Sequence, residues 1–216
     1  MFDIDKDLLK LNKAEPMPFY NKQKYKITIE KSGTWILPIP DILYSEATGR
    51  PFAHCSQCGL ELLENGAGYI IAKSVLQNLT YKSSETTMEY ALCFQCHQTL
   101  WNSFSTETIR QLEQFLERSV DFPMRNQRLQ QRKKTLHDWI GTCLVTGAAL
   151  ETCEFYQLNA LAIGPTLIFE DLPYALSWEA LQTEEQLFST SSWNTWCAYF
   201  EKHFGYPALI RDILQK

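Results

Sequence analysis

The sequence predicts an α+β fold in which two unlike halves are joined by a basic helix. Two Cys-x-x-Cys pairs, Cys55/Cys58 and Cys93/Cys96, bracket 34 residues that read as a β-hairpin with a generous turn. Helical periodicity sets in after the second pair. Beyond a basic stretch, a new strand-then-helix pattern starts near Gly141. The expected organisation is a lead-in over 1–52, a cysteine module over 53–122, a connector helix over 123–140 and a small α+β half over 141–216.

In chain order, residues 2–12 read as a short helix with Leu8, Leu9 and Leu11 on one side. Lys24–Glu30 alternates, with Tyr25, Ile27 and Ile29 on one face, as a half-buried strand does. Gly33, Pro38, Pro40, Gly49 and Pro51 mark residues 33–51 as irregular. Tyr69–Leu79 reads as a strand, with a helix left open for its second half, Lys82–Glu85 as a polar turn, and Thr86–Leu92 as the returning strand. Helical character begins at Phe94. Ser105 is a cap for a helix over Thr106–Val120, where Ile109, Leu112, Phe115 and Leu116 recur at helical spacing. After Pro123 the connector is expected as one helix from about Met124 to Trp139. In the second half, Phe155–Ile163 and Thr166–Phe169 flank Gly164-Pro165 as a hairpin. Ser191 is a candidate cap for a helix carrying Trp193, Trp196, Tyr199 and Phe200, and Pro207 starts a last short helix through Leu214.

Composition supports a packed core. Hydrophobic residues make up 45% and charged residues 21%, and six Trp, ten Tyr and twelve Phe supply large apolar surfaces. The net charge of −5 has the wrong sign for a strongly basic nucleic-acid binder. Charge is unevenly divided: residues 124–140 hold five basic side chains against Asp138, while 141–216 hold three basic and nine acidic. The start, with three Asp in its first seven residues, does not resemble a secretory signal, and no window approaches a membrane helix. Seven cysteines, four of them in close pairs, favour metal binding in a reducing compartment over a disulfide framework, so the cytoplasm is the expected location.

The two pairs read Cys55-x-x-Cys58-Gly59 and Cys93-x-x-Cys96-His97. A Cys-x-x-Cys-Gly turn aims backbone N–H groups at its thiolates, and Gly accepts the left-handed conformation the turn needs. Together, Cys55, Cys58, Cys93 and Cys96 form the donor set of a structural Zn2+ site. The order of knuckle, hairpin and second pair at a helix start resembles the treble-clef group of zinc fingers over about residues 53–120. The segment from Glu89 to His97 is similar to the end of HNH-type nucleases. That resemblance implies a catalytic histidine on the hairpin, and residues 59–92 contain none. It therefore implies the scaffold without its catalysis.

His54 and His97 flank ligands and are expected outside a zinc shell that four thiolates already fill. His137 and His203 stand alone in helical patterns. Cys143-x-x-Thr146-Gly147-x-x-Leu150 lines up without gaps on Cys55-x-x-Cys58-Gly59-x-x-Leu62. Two readings stay open, a degraded copy that has lost its metal and a coincidental turn. Cys143 and Cys153 read as free thiols, although pairing or sharing a metal is also open, and Cys197 reads as core.

No phosphate loop, His-Glu-x-x-His, Gly-x-Ser-x-Gly or dinucleotide motif is present, so no catalytic or cofactor-binding residues are assigned and an enzyme has no support in the sequence. The expected role is a protein-binding or scaffolding module, with another protein as partner; Trp178, Trp193 and Trp196 are candidate anchors, although core packing is the favoured reading of all three. The alternative is nucleic-acid binding through the basic helix 124–137, where Arg125, Arg128 and Arg132 recur at helical spacing. The acidic remainder of the chain disfavours it.

Overall fold

The apolar run Tyr69-Ile70-Ile71-Ala72 leaves no wet face, and its strand lies inside the sheet, paired on both sides. The computed structural model describes residues 35–130 and 135–205. The expected helix 2–12, the strand Lys24–Glu30 and the helix from Pro207 lie outside the described residues. Strands β1 (Trp35–Pro38), β2 (Gly68–Asn78), β3 (Ser83–Cys93), β4 (Phe155–Ile163), β5 (Thr166–Phe169) and β6 (Tyr174–Ser177) form one six-stranded antiparallel sheet. Its order is β1-β5-β4-β2-β3, and β6 pairs with β4 in line with β5. β2 is buried along nearly its whole length, as a strand covered on both faces must be.

Helix α1 (Phe94–Asn102) follows β3 directly, and α2 (Thr106–Ser119) starts at Ser105, whose hydroxyl accepts from the Thr108 N–H. Within the described residues 35–51, the stretch expected to be irregular contains β1 and a 3-10 turn, Asp41–Leu43. Ser45 and Glu46 dock on the sheet through buried Lys73. Its ammonium donates to the Tyr44 carbonyl at 2.7 Å and faces Glu89 at 3.6 Å, and Glu89 accepts from the Ser45 hydroxyl and the Glu46 N–H.

The connector differs from its expectation. It is two helices, α3 (Phe122–Gln130) and α4 (Leu136–Ile140), with 131–134 outside the described residues. Pro123 sits in the first turn of α3, where its missing N–H costs nothing. Thr135 has extended backbone and closes a capping box with Asp138, which fixes a new helix start in mid-connector. In the second half the cap is Ser189 rather than Ser191, opening α6 (Thr190–Phe204). Strand β6 and helix α5 (Trp178–Glu185) are additions to the elements read from sequence.

The two halves meet symmetrically inside the sheet. Tyr69 pairs with Cys93 and Tyr156 with Ser177, while Ala72 pairs with Tyr90 and Asn159 with Tyr174. Ala72 and Asn159 are also paired with each other across β2 and β4. The row Tyr90, Ala72, Asn159, Tyr174 thus has a tyrosine at each end and equivalent backbone positions on either side of its middle. A second meeting point lies at the starts of α2 and α6. The Ser105 N–H donates to the Ser192 hydroxyl at 2.8 Å, and the Ser189 N–H donates to the Thr108 hydroxyl at 2.9 Å. Phe104 and Phe188 lie edge to face beside them, with centroids 5.3 Å apart.

Candidate metal centre

The first cysteine pair sits in a tight turn closed by its own backbone. The Cys55 N–H donates to the Leu60 carbonyl at 2.7 Å, the Gly59 N–H to the Cys55 carbonyl at 2.9 Å, and the Leu62 N–H to the Ala53 carbonyl at 2.8 Å. Gly59 has φ +74°, a conformation that strains any side-chain-bearing residue. The turn is fixed to the edge strand: the Ser56 N–H donates to the Ala91 carbonyl at 2.8 Å, and the Ala91 N–H to the Ser56 hydroxyl at 3.0 Å. Cys93 ends β3 and Cys96 lies in the first turn of α1, so the strand-to-helix junction brings the second pair over the first.

The sulfurs of Cys55, Cys58, Cys93 and Cys96 all lie within 4.8 Å of one another, and Cys58 and Cys93 approach to 3.8 Å. A tetrahedron with metal–sulfur bonds of about 2.3 Å has edges of about 3.8 Å, so the donor set fits a four-coordinate thiolate site. Cys55, Cys93 and Cys96 are buried and Cys58 is exposed. Burial pushes the Cys55 thiol up. The N–H groups of Cys58, Cys93 and Gln57 and the Cys58 thiol outweigh it and bring Cys55 down to about 7. Burial dominates at Cys93 and Cys96 and raises both thiols. Four clustered thiols with no cation repel one another's ionisation, and a bound cation reverses that effect.

Neither neighbouring histidine joins the cluster. His54 forms an isolated bridge with Glu61. His97 accepts from the Trp101 indole N–H at 2.8 Å through Nε2, and burial holds its pKa down at about 4. His203 rests against the Tyr199 ring.

Cys143 lies in a second turn of the same construction. The Cys143 N–H donates to the Ala148 carbonyl at 2.8 Å, the Gly147 N–H to the Cys143 carbonyl at 3.0 Å, and the Leu150 N–H to the Gly141 carbonyl at 3.0 Å. Gly147 has φ +72°. The Leu144 N–H donates to the Ala175 carbonyl at 2.8 Å, as the Ser56 N–H does to Ala91. The Cys93 N–H donates to the Cys55 sulfur at 3.4 Å, and the Ser177 N–H donates to the Cys143 sulfur at 3.2 Å. Ser177 therefore stands where Cys93 stands, at the end of a strand that runs straight into a helix. Sequence reasoning missed Ser177 and its neighbour Ala180. The signal was present: Tyr90-Ala91-Leu92 recurs as Tyr174-Ala175-Leu176, and Phe104-Ser105-Thr106 as Phe188-Ser189-Thr190, both 84 positions later.

The other candidates lie elsewhere in the fold. Trp178 packs edge-on to Phe155, Trp193 on Phe188, and Trp196 on Phe104, Phe188 and Phe200. All three are half-buried rather than displayed. Arg125 turns inward, onto the carbonyls of Asp171, Pro173 and Trp139. Arg128 is exposed, and Arg132 lies outside the described residues. Cys153 and Cys197 are half-buried free thiols. Among the described residues no helix is long and apolar enough to cross a membrane. No family model, curated protein or solved structure matches the chain.

Proposed function

We propose that Cys55, Cys58, Cys93 and Cys96 hold one structural Zn2+ ion in a treble-clef-type module, and that the chain is a protein-binding or scaffolding module. The clustering of four sulfurs from a knuckle and a strand–helix junction carries the metal reading. Soft thiolates select zinc, copper(I) or iron, and a tetrahedral all-sulfur set in a reducing compartment favours zinc. With four thiolates bound, zinc has no open position, so the ion would cross-link the fold and do no chemistry on a substrate.

The surface supports a protein partner over a nucleic acid. The β2–β3 hairpin runs past the last β2–β4 pair, Leu76 with Phe155, and ends in a turn that displays Tyr81 at 80% exposure and Leu79 at 42%. An aromatic residue on a projecting tip is the type of side chain that anchors protein contacts. The arginine face that a phosphate backbone would require is broken, because Arg125 is committed to carbonyls inside the protein.

Elemental analysis of protein prepared without chelator is expected to give about one zinc per chain. No metal in folded protein would refute the zinc reading. A photo-crosslinking residue at Tyr81 is expected to capture one defined protein in cells, and the same residue at exposed Glu107 is not. Tight DNA or RNA binding at about 150 mM salt, lost in Arg128→Gln, would instead favour the nucleic-acid role.

A further inference from the structure

We infer that Cys143, Thr146, Ser177 and Ala180 are the second half's counterpart of the four-cysteine cluster, a latent metal site that three side-chain exchanges have closed. The correspondence is positional. Cys143 matches Cys55 and Thr146 matches Cys58 in turns with the same closing hydrogen bonds and the same left-handed glycine. Ser177 matches Cys93 through the N–H that each aims at the first cysteine's sulfur. Ala180 then matches Cys96, because each lies three residues further on, in the first turn of the following helix.

What fills the second frame explains why it needs no ion. The Thr146 N–H donates to the Cys143 sulfur at 3.4 Å, and the Thr146 and Ser177 hydroxyls lie 3.4 Å apart, where the first frame has two sulfurs at 3.8 Å. Ala180 is 1% exposed and packs with Cys143 and Leu176. Hydrogen bonds and a methyl group thus close the space that a cation would occupy in the first frame. A Ser or Thr hydroxyl is not a ligand of structural zinc, and Ala offers no donor, so the wild-type frame retains one thiol and binds nothing.

The test restores the donors in the full chain as T146C/S177C/A180C. Metal content is expected to rise from about one to about two ions per chain, with proton release as the new thiols ionise. Cobalt loading should double the thiolate-to-metal absorption per chain. Adding Cys143→Ser to the triple variant should return both readings to the wild-type level. A folded triple variant with no more metal than wild type overturns the inference, and so does extra metal that survives Cys143→Ser. If the triple variant does not fold, T146C/S177C provides three thiols around the same point. It is expected to take up a second cobalt more weakly, and a folded double variant that takes up none also overturns the inference. The inference rests on the first frame being a metal centre. Wild type without metal would sink that reading, whereas one ion in wild type and one in the triple variant sinks only this one.

Discussion

Replacing Arg125 should cost far more than replacing its connector neighbour Arg128. Its guanidinium donates to the carbonyls of Pro173 at 2.8 Å, Asp171 at 3.2 Å and Trp139 at 3.3 Å, and lies 4.9 Å from the centre of the Trp139 ring. Burial lowers its pKa to about 10, which still leaves it charged at neutral pH. Asn126 reinforces the contact by donating to the Asp171 carboxylate at 2.8 Å. The loop that these side chains grip separates β5 from β6, and so sets the register of β6 and the placement of Ser177. Hydrogen bonds to a charged group contribute about 1.5–3 kcal/mol each, and an abandoned buried carbonyl costs about 1–3 kcal/mol. Because the bonds share one head group they do not add, and Arg125→Gln is expected to lose about 3 kcal/mol in urea unfolding at fixed metal loading. Arg125→Lys should recover less than half, since an ammonium cannot span three carbonyls as a planar fork does. Arg128→Gln should change stability by under about 0.5 kcal/mol, as surface substitutions do. An Arg125→Gln loss as small as that of Arg128→Gln would show that the guanidinium does not hold the β5–β6 loop.

Three further outcomes are expected. An alanine Cβ at Gly68 would meet the Phe94 ring with contacts of 2.8 Å, so Gly68→Ala should push α1 off the sheet and cost about 1–3 kcal/mol. Gly68→Ala combined with Phe94→Leu should recover part of that loss in thermal melts. Burial, aided by the nearby Cys143 thiol, raises the Glu184 carboxyl from 4.5 to about 7. The folded state therefore binds more protons than the unfolded one between those values, and stability falls as pH rises through the window. Glu184→Gln should match wild type near pH 4 and exceed it by about 1–2 kcal/mol near pH 8, each compared at the same pH so that metal loss cancels. Finally, Cys58→Ser or a strong chelator should lower the stability of the whole chain. β2 and β4 are paired over nine residue pairs, so circular dichroism and the fluorescence of Trp193 and Trp196 should change in one transition. Two separated transitions would mean that the halves fold independently.

Much of the fold was legible where local chemistry dictates it. The hairpin β4–β5 follows from Gly164-Pro165 between apolar runs, α2 from the Ser105 cap, and the sulfur cluster from the spacing of its pairs. β6 and α5 were not legible, because each is short and derives its identity from a partner. Four residues become a strand only by pairing with Tyr156–Asn159, and α5 starts where β6 delivers it. The repeat was read from the knuckles alone because its offset changes between them and the later matches at Tyr174 and Phe188. The counterparts lie 88 positions apart at Cys55 and Cys143 but 84 apart at Cys93 and Ser177. A gapless comparison therefore loses register inside the hairpin, and the backbone pairings restore it. The orientations of the tryptophans and of Arg125 were not legible for a related reason. Sequence gives residue type, and which way a large or charged side chain turns depends on neighbours far along the chain.

The axis through Ala72 and Asn159 has a consequence for what the chain is free to become. Two identical chains meeting there would carry the same residue on both sides and would part on dilution. Covalent linkage through α3 and α4 holds the pair at a high effective concentration, so its melting temperature should not depend on protein concentration. Linkage also removes the obligation of identity. A small side chain at residue 72 can face a polar one at residue 159, and a thiol at residue 93 can answer a hydroxyl at residue 177, with neither choice imposed on the other. Substitutions that would strike an obligate dimer twice strike this molecule once, which leaves each half open to its own chemistry.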